Sequence, residues 1–319
     1  MLSIVVPIFL VILAGYLFAK KNKFSKDAGK LINDYVLLVA LPALLFLSIA
    51  QAKPEDLLHW EFVVATLAGI FVAYILGIVL SMFRSISAPR SSIVAMAACY
   101  GTTGYMGMPI AIAAFGEAAA VPAAIATILH NIPAIMAVII TYGIFSNGRK
   151  KESGVFIMLR AIKTTLLNPL TLSVIAGMFF SFLAIPLPDI LKIFTGFLAG
   201  AAGPTALFAL GIGLSGLDTK LHMNIKKIMD LSPIIIIKIF IQPFVTFFVA
   251  YYWLGMDSTD IYLIVAILMS AQPIGAGVYV FANKFDYFQE NTAVSIIISL
   301  LIAVFSLFFL LEIMSKLIY

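Results

Sequence analysis

The sequence predicts an all-α integral membrane protein of ten transmembrane helices, arranged as a 5+5 inverted repeat in which two helices, spans 4 and 9, are broken and cross. Three observations predict it. The 319 residues are 63% hydrophobic and only 11% charged, far from the balance of a soluble domain. Lysine and arginine gather on alternate sides of successive apolar runs. A set of prolines, glycines and phenylalanines recurs at a fixed displacement of 162 residues.

Apolar runs of about 17 to 25 residues, bounded by charged or turn-rich breaks, place the spans in order. They fall at 2–19, 31–50, 61–82, 92–114, 118–145, 166–185, 192–215, 231–254, 260–282 and 291–314. The first lacks a basic leader and a small-residue cleavage site, so it is read as a true span rather than a cleaved signal peptide. The loops after spans 1, 3, 5, 7 and 9 hold sixteen of the twenty basic residues, among them Lys20, Lys21, Arg84, Arg90, Arg149, Lys150, Lys151, Lys220, Lys226, Lys227 and Lys284. The other side holds Lys53, Lys192 and Lys316, and Lys238 lies inside span 8. By the positive-inside rule the odd-numbered loops are cytoplasmic and both termini lie outside.

Pro7, Ala14-Gly15, Pro42 and Phe46 recur as Pro169, Ala176-Gly177, Pro204 and Phe208. Span 1 therefore matches span 6, and span 2 matches span 7. Five spans is an odd number, so the second copy enters the membrane from the opposite side, the construction common in secondary transporters. The organisation expected is a first repeat at 1–147, a basic cytoplasmic linker at 148–165 and a second repeat at 166–319.

Span 4 contains Cys99-Tyr100-Gly101-Thr102-Thr103-Gly104-Tyr105-Met106-Gly107-Met108-Pro109. Proline removes a backbone donor and clashes with the preceding turn, and each glycine weakens a helix by about 1 kcal/mol relative to alanine. The helix is expected to break here. Span 9, its repeat partner, carries Ser270-Ala271-Gln272-Pro273-Ile274-Gly275-Ala276-Gly277, a second interruption. Residue-level matching of the two is open, because aligning Pro109 with Pro273 conflicts with aligning Phe115 with Phe285. Broken backbone at membrane depth survives where it is packed in protein or lines a wet cavity, and paired interruptions point to a substrate site near the midplane. The half-helix ends at such a crossing carry partial charges that hold an anion without arginine. The bland alternative is a pair of proline kinks supported by neighbouring helices.

Around the breaks, Thr102, Thr103, Tyr105 and Gln272 either donate to a carboxylate or cap backbone groups freed by the kink. Lys238 is either a functional intramembrane charge or a side chain that snorkels out. Asn131, beside His130 in span 5, either meets the broken span 4 or bonds between helices. Asn33 and Asp34 are expected to begin and cap span 2, with a proton or cation site as the alternative for Asp34, and Glu117 is expected as a solvated or helix-starting acid after span 4.

Other chemistries are excluded by what the sequence lacks. One cysteine, Cys99, forms no disulfide framework, and His59, His130 and His222 have no metal-ligand spacing. There is no GxxxxGK[ST], HExxH or GxSxG motif, which removes an ATP-driven pump and an intramembrane protease, and no enzyme is expected. The net charge of +5 is accounted for by orienting loops, so no nucleic-acid partner is expected.

The ten spans, the Leu41-Pro42-Ala43-Leu44-Leu45-Phe46 segment, the break ending in Phe115-Gly116, Leu167-Asn168-Pro169, and Gly203-Pro204 with Leu210-Gly211 resemble the auxin efflux carrier family over essentially the whole chain. The likeness is closer to its bacterial members, labelled malonate or dicarboxylate carriers, than to the plant proteins with their long central loop. The resemblance implies a fold similar to the bile-acid sodium symporters. Spans 1, 2, 6 and 7 would form a scaffold and dimer face, and spans 3–5 and 8–10 a transport unit. Pro109 and Pro273 match the crossing prolines of the plant members. Thr102 or Thr103 stands where many members have asparagine, so an asparagine contact to substrate does not carry over.

The expectation is an elevator-type secondary carrier for a small organic anion, malonate-like or auxin-like, in a bacterial inner membrane. The candidate substrate-binding residues are Thr102, Thr103, Gly104, Tyr105, Pro109, Asn131, Lys238, Gln272, Pro273 and Gly275. No metal or cofactor is expected, and coupling to H+ or Na+ is left open. The partners expected are the anion, the lipid bilayer and a second copy through spans 2 and 7. A sodium-coupled symporter, a passive channel and a non-transporting membrane sensor on the same fold are the alternatives.

Overall fold

The computed structural model describes residues 2–21, 23, 26–145, 154–218 and 224–318. Arg149, Lys150, Lys151, Lys220 and the first part of the expected linker, 148–153, lie outside the described residues. The described chain is helical between its turns, and its single strand-like pairing is an isolated antiparallel bridge between Gly101 and Ile274. Six helices of 23–30 residues are long and apolar enough to cross a membrane: Ala28–Ala50, Pro54–Phe83, Glu117–Phe145, Asp189–Gly216, Ile225–Trp253 and Gln289–Leu317. A seventh is counted if the bent pair Gly154–Leu166 and Pro169–Phe182 forms one span, and Val5–Lys20, Thr103–Phe115 and Ile261–Ser270 are shorter apolar helices.

In chain order the α-helices are α1 (Leu2–Lys20), α2 (Lys26–Tyr35), α3 (Leu41–Ala50), α4 (Pro54–Leu57), α5 (Trp60–Phe83), α6 (Ala88–Cys99), α7 (Met108–Phe115) and α8 (Ala120–Phe145). They continue as α9 (Gly154–Leu166), α10 (Pro169–Phe182), α11 (Asp189–Asp218), α12 (Ile225–Ile236), α13 (Gln242–Phe248), α14 (Ile261–Ser270), α15 (Gly277–Lys284) and α16 (Gln289–Ile318). Local chemistry sets several starts. Asn168 caps α10 by accepting from the Leu170 amide, Asn224 caps α12 from Lys227, and Asp260 caps α14 from Tyr262. Pro89 and Pro169 sit in the first turn of α6 and α10, where a missing N–H costs nothing.

Proline also explains three widened turns. Val36–Ala40, Thr103–Gly107 and Ile237–Ile241 are π-helical, and each ends two residues before Pro42, Pro109 or Pro243. The ring of a proline collides with the carbonyl four residues back, and one wider turn relieves the collision while the helix continues. Pro109 therefore widens its helix instead of breaking it. The backbone leaves helical geometry earlier, at Tyr100–Thr102.

A further expectation is corrected. α2 already begins at Lys26, so Asn33 and Asp34 lie about two turns inside it and do not cap it. Asn33 accepts a hydrogen bond from the Tyr105 hydroxyl at 2.6 Å. Within the stretch expected as linker, Gly154–Leu166 is a helix that buries Ile157, Ala161 and Thr165. Glu117 is exposed at the first residue of a short 3-10 turn, as a helix-starting acid should be.

The chain divides into two compact units, each assembled from both halves of the sequence. Unit 1 comprises Met1–Trp60, Thr103–Ile128 and Asn168–Lys220, and unit 2 comprises Glu61–Thr102, Leu129–Leu167 and Leu221–Tyr319. In unit 1, α1 packs on α11 and α3 on α10 at backbone distance. A β-carbon at Gly15 would stand 2.2 Å from the Phe208 carbonyl oxygen, and one at Gly177 would stand 3.0 Å from that of Phe46. Phe18 meets Phe208 with ring centroids 6.2 Å apart, and Phe180 meets Phe46 at 5.6 Å. Adding 162 to Gly15, Phe18 and Phe46 gives Gly177, Phe180 and Phe208, so each contact becomes the other with its partners exchanged.

Candidate functional site

Unit 2 holds both interruptions, and they meet backbone to backbone. α6 ends at Cys99 because glycine and an extended Tyr100 follow, and α14 ends at Ser270 because Pro273 cannot continue its hydrogen-bond ladder. The freed groups pair across the gap. The Thr102 amide donates to the Pro273 carbonyl at 2.9 Å, and the Gly275 amide donates to the Tyr100 carbonyl at 3.0 Å. The Ile274 amide donates to Ser299 Oγ of α16 at 3.1 Å. Broken backbone in an apolar interior must find such partners, since each unpaired group is costly.

Glycine makes the approach possible. A β-carbon at Gly275 would lie 2.7 Å from the Tyr100 ring, and one at Gly277 would lie 2.8 Å from it. The Tyr100 hydroxyl then donates to Asn131 Oδ1 of α8. Asn131 thus meets the first break through Tyr100.

Lys238 is fully buried, and its Nζ donates to the Ser270 carbonyl at 2.6 Å. It does not snorkel. The Ser270 hydroxyl bonds Thr246 Oγ1 at 3.0 Å, and Gln272 Nε2 donates to the Leu268 carbonyl at 3.0 Å. Three buried polar atoms close this region without a protein partner: Gln272 Oε1 and both amide atoms of Gln242. Buried polar groups are ordinarily satisfied, so these mark places where water or a ligand belongs.

Of the sequence candidates, Thr102, Asn131, Lys238, Gln272, Pro273 and Gly275 lie in unit 2 around the paired breaks. The other four lie in unit 1. Thr103 is buried with its hydroxyl unpartnered, Gly104 lies against Thr127 and Leu41, Tyr105 donates to Asn33, and Pro109 lies against Gly203. Tyr100, Ser270, Gln242 and Thr246 were not among the candidates. A signal for two of them was present, because Lys238, Gln242 and Thr246 recur every four residues and so share one face of their helix. A small open pocket of about 70 Å³ in unit 2 lies elsewhere, lined by Tyr142, Arg160, Lys284 and Phe285 among others.

A chain with apolar spanning helices and paired interior breaks is a membrane transporter in construction. Sequence comparison places it among relatives of that kind. The family described as "Membrane transport protein" matches residues 1–311, and the chain belongs to this family, that of the auxin efflux carriers. It is 28% identical over 310 residues to a Rhizobium meliloti protein named "Putative malonate transporter", covering 95% of this chain and 92% of that one. It is 28% identical over 222 residues to the uncharacterized transporter MJ1031 of Methanocaldococcus jannaschii, covering 67% and 69% of the two chains. A stretch of 49 residues, 15% of this chain and 16% of the relative, is 43% identical to the uncharacterized transporter YfdV of Escherichia coli K12. These relatives are transporters and not enzymes, and so is this chain.

Proposed function

We propose that the protein is a secondary carrier for a small organic anion, a carboxylate of the malonate class, in a bacterial inner membrane. The observation that carries this reading is the backbone pairing of two interruptions inside unit 2, with Thr102, Asn131, Gln272, Pro273, Gly275 and a fully buried lysine, Lys238, gathered about it. α15 begins at Gly277, directly after the second break, and the partial positive charge of its N-terminal end suits a carboxylate. Thr103, Gly104, Tyr105 and Pro109 carry the same proposal within unit 1.

The architecture proposed with it is ten spans in a 5+5 inverted repeat, both termini outside, with spans 4 and 9 as the crossing helices. The exchange of Gly15–Phe208 with Gly177–Phe46, and of Phe18–Phe208 with Phe180–Phe46, supports the repeat, because a two-fold axis relates contacts in this way. The movement proposed is of the elevator type, with spans 3–5 and 8–10 as the transport unit and spans 1, 2, 6 and 7 as the scaffold, two copies associating through spans 2 and 7.

Purified protein in liposomes tests the function. With labelled malonate and a panel of mono- and dicarboxylates, saturable uptake accelerated by unlabelled anion on the opposite side is expected for at least one compound. Uptake no greater than in empty liposomes across the whole panel overturns the reading, and flux that neither saturates nor shows counterflow replaces it with a channel.

A further inference from the structure

Two half-helices end at the same place in unit 2, and both present C-termini. α14 ends at Ser270, and α6 ends at Cys99, two residues before Gly101. The end of α14 is closed carbonyl by carbonyl: Ile267 accepts from the Ala271 amide, Leu268 from Gln272 Nε2 and Met269 from the Gln272 amide. The last carbonyl, Ser270, takes the Lys238 ammonium. On the other side, a β-carbon at Gly101 would stand 3.2 Å from both Cε and Nζ of Lys238, so the ammonium touches the stretch leaving α6 as well.

A lone ammonium in apolar packing is strongly unfavourable unless an opposite charge compensates it. No carboxylate among the described residues pairs with Lys238, and the titratable group that faces it from α6 is the Cys99 thiol. Tyr100, next along, is engaged with Asn131, while α13 and α16 contribute the neutral Gln242, Thr246 and Ser299. The compensation comes from the helices themselves. Each C-terminus carries a partial negative charge, and the ammonium lies against the stretch leaving each of them.

Half-helix C-termini and unwound carbonyls are where carriers of this construction hold a coupling cation. We infer that Lys238 is a tethered cation that occupies this place, so that the chain moves its anion without sodium. Lys238 is then a positioning residue that holds the two breaks together, and it does not touch the anion. The inference rests on the carrier function proposed above but is read out separately from it.

The test has a transport arm and a stability arm. In the transport arm, wild-type malonate uptake is expected to be the same in sodium and in N-methylglucamine medium, and a fall of tenfold or more without sodium overturns the inference. Lys238→Ala leaves a carbonyl-lined gap. Its uptake is expected to drop at least tenfold in sodium-free medium and to recover with sodium or ethylammonium, whereas Lys238→Met, which fills the gap with apolar atoms, should not recover. A Lys238→Ala protein that remains fully active, or that folds and is rescued by neither cation, overturns it.

In the stability arm, the melting temperature of purified protein is read in sodium and in N-methylglucamine. Wild type should show no difference, and Lys238→Ala should be raised by sodium. If Lys238→Ala does not fold, Lys238→Gln takes its place, since a neutral donor still reaches Ser270 but leaves the charge to be supplied. If no carboxylate is carried at all, the transporter reading fails while this arm still decides the role of Lys238.

Discussion

Unit 1 and unit 2 bring helices together at the same close range by opposite means. In unit 1, unbroken α1 and α11 touch through glycine: a β-carbon at Gly211 would stand 2.0 Å from the Ile12 carbonyl oxygen, and one at Gly15 would stand 2.2 Å from that of Phe208. Among the described residues no backbone hydrogen bond crosses there, because each helix runs on past its internal proline, Pro7 or Pro204, and bonds chiefly within itself. In unit 2 the helices stop, and the freed backbone groups of one interruption satisfy those of the other. Glycine serves there as well, at Gly275 and Gly277, by admitting the Tyr100 ring. Close packing alone therefore gives a rigid wall, and close packing with broken ladders gives a place where charge can be held.

The largest effect should come from the wall. Gly15→Leu or Gly211→Leu forces side-chain atoms into a backbone carbonyl that cannot yield, a cost well beyond the usual 1 to 3 kcal/mol of overpacking, about 4 kcal/mol or more. Neither variant should be recovered as a monodisperse protein in detergent. Gly213, in the same helix, has open space around its would-be β-carbon. Gly213→Ala should be silent or stabilising by up to about 1 kcal/mol, and equal damage at both positions would show that the approach of α1 to α11 is not what holds unit 1 together.

Next comes the break. Gly275→Ala places a methyl group 2.7 Å from the Tyr100 ring and 3.0 Å from the Gly101 carbonyl carbon. The ring can turn aside and the backbone pairing cannot, so the protein should fold while its site is displaced. Displacements of this size cost about a hundredfold in rate where geometry matters. Uptake should fall by that order with the melting temperature within a few degrees of wild type. Unchanged uptake would separate the break from the transport path.

The units also differ in how much of them could be read from sequence. Spans 3, 5, 7, 8 and 10 were legible within a few residues because length and apolarity decide them, as in α5 at Trp60–Phe83 against an expected 61–82. Both interruptions fall inside the stretches expected from the sequence, 99–109 and 270–277, but the first lies at the front of its stretch, at Tyr100–Thr102, rather than at Pro109. Pro109 looked like the break and is the second residue of α7, because a π-helical turn absorbs its collision. Pro273 lies within the non-helical link. α7 and α15 are each eight residues long, beginning at Met108 and Gly277, which favours the Phe115–Phe285 alignment over the proline one. Whether a proline widens or ends a helix depends on what the released carbonyls can reach in three dimensions. Sequence does not state that. The same holds for Lys238, whose burial depends on Ser270, 32 positions away.

Within unit 2, Tyr100→Phe removes the hydroxyl that donates to Asn131 and leaves the ring in place against Gly275 and Gly277. A single internal hydrogen bond is worth about 1 kcal/mol net. Denaturant or thermal unfolding should register a loss of about that size. If the ring alone holds the glycines, uptake should change by less than about tenfold, whereas a loss as large as that of Gly275→Ala would make the hydroxyl, through Asn131, part of the anion-facing group.

The smallest effects should be the same in both units, because helix caps are local wherever they occur. Asn168 caps α10 in unit 1 and Asp260 caps α14 in unit 2, each accepting one amide hydrogen at 2.9 and 2.8 Å. Replacing either with alanine should cost about 1 kcal/mol, seen as faster hydrogen exchange in the first turn of that helix alone. The comparison is sharpest at Asp260, since α14 is the helix whose other end holds Lys238. Fraying of the first turn should stop before Ser270, nine residues on from Ile261, leaving the breaks paired and uptake within about twofold of wild type. If Asp260→Ala instead reduces uptake as strongly as Gly275→Ala while Asn168→Ala does nothing, then α14 acts as one rigid lever from its cap to the lysine. The pairing of the breaks would then depend on the whole helix rather than on its last turn.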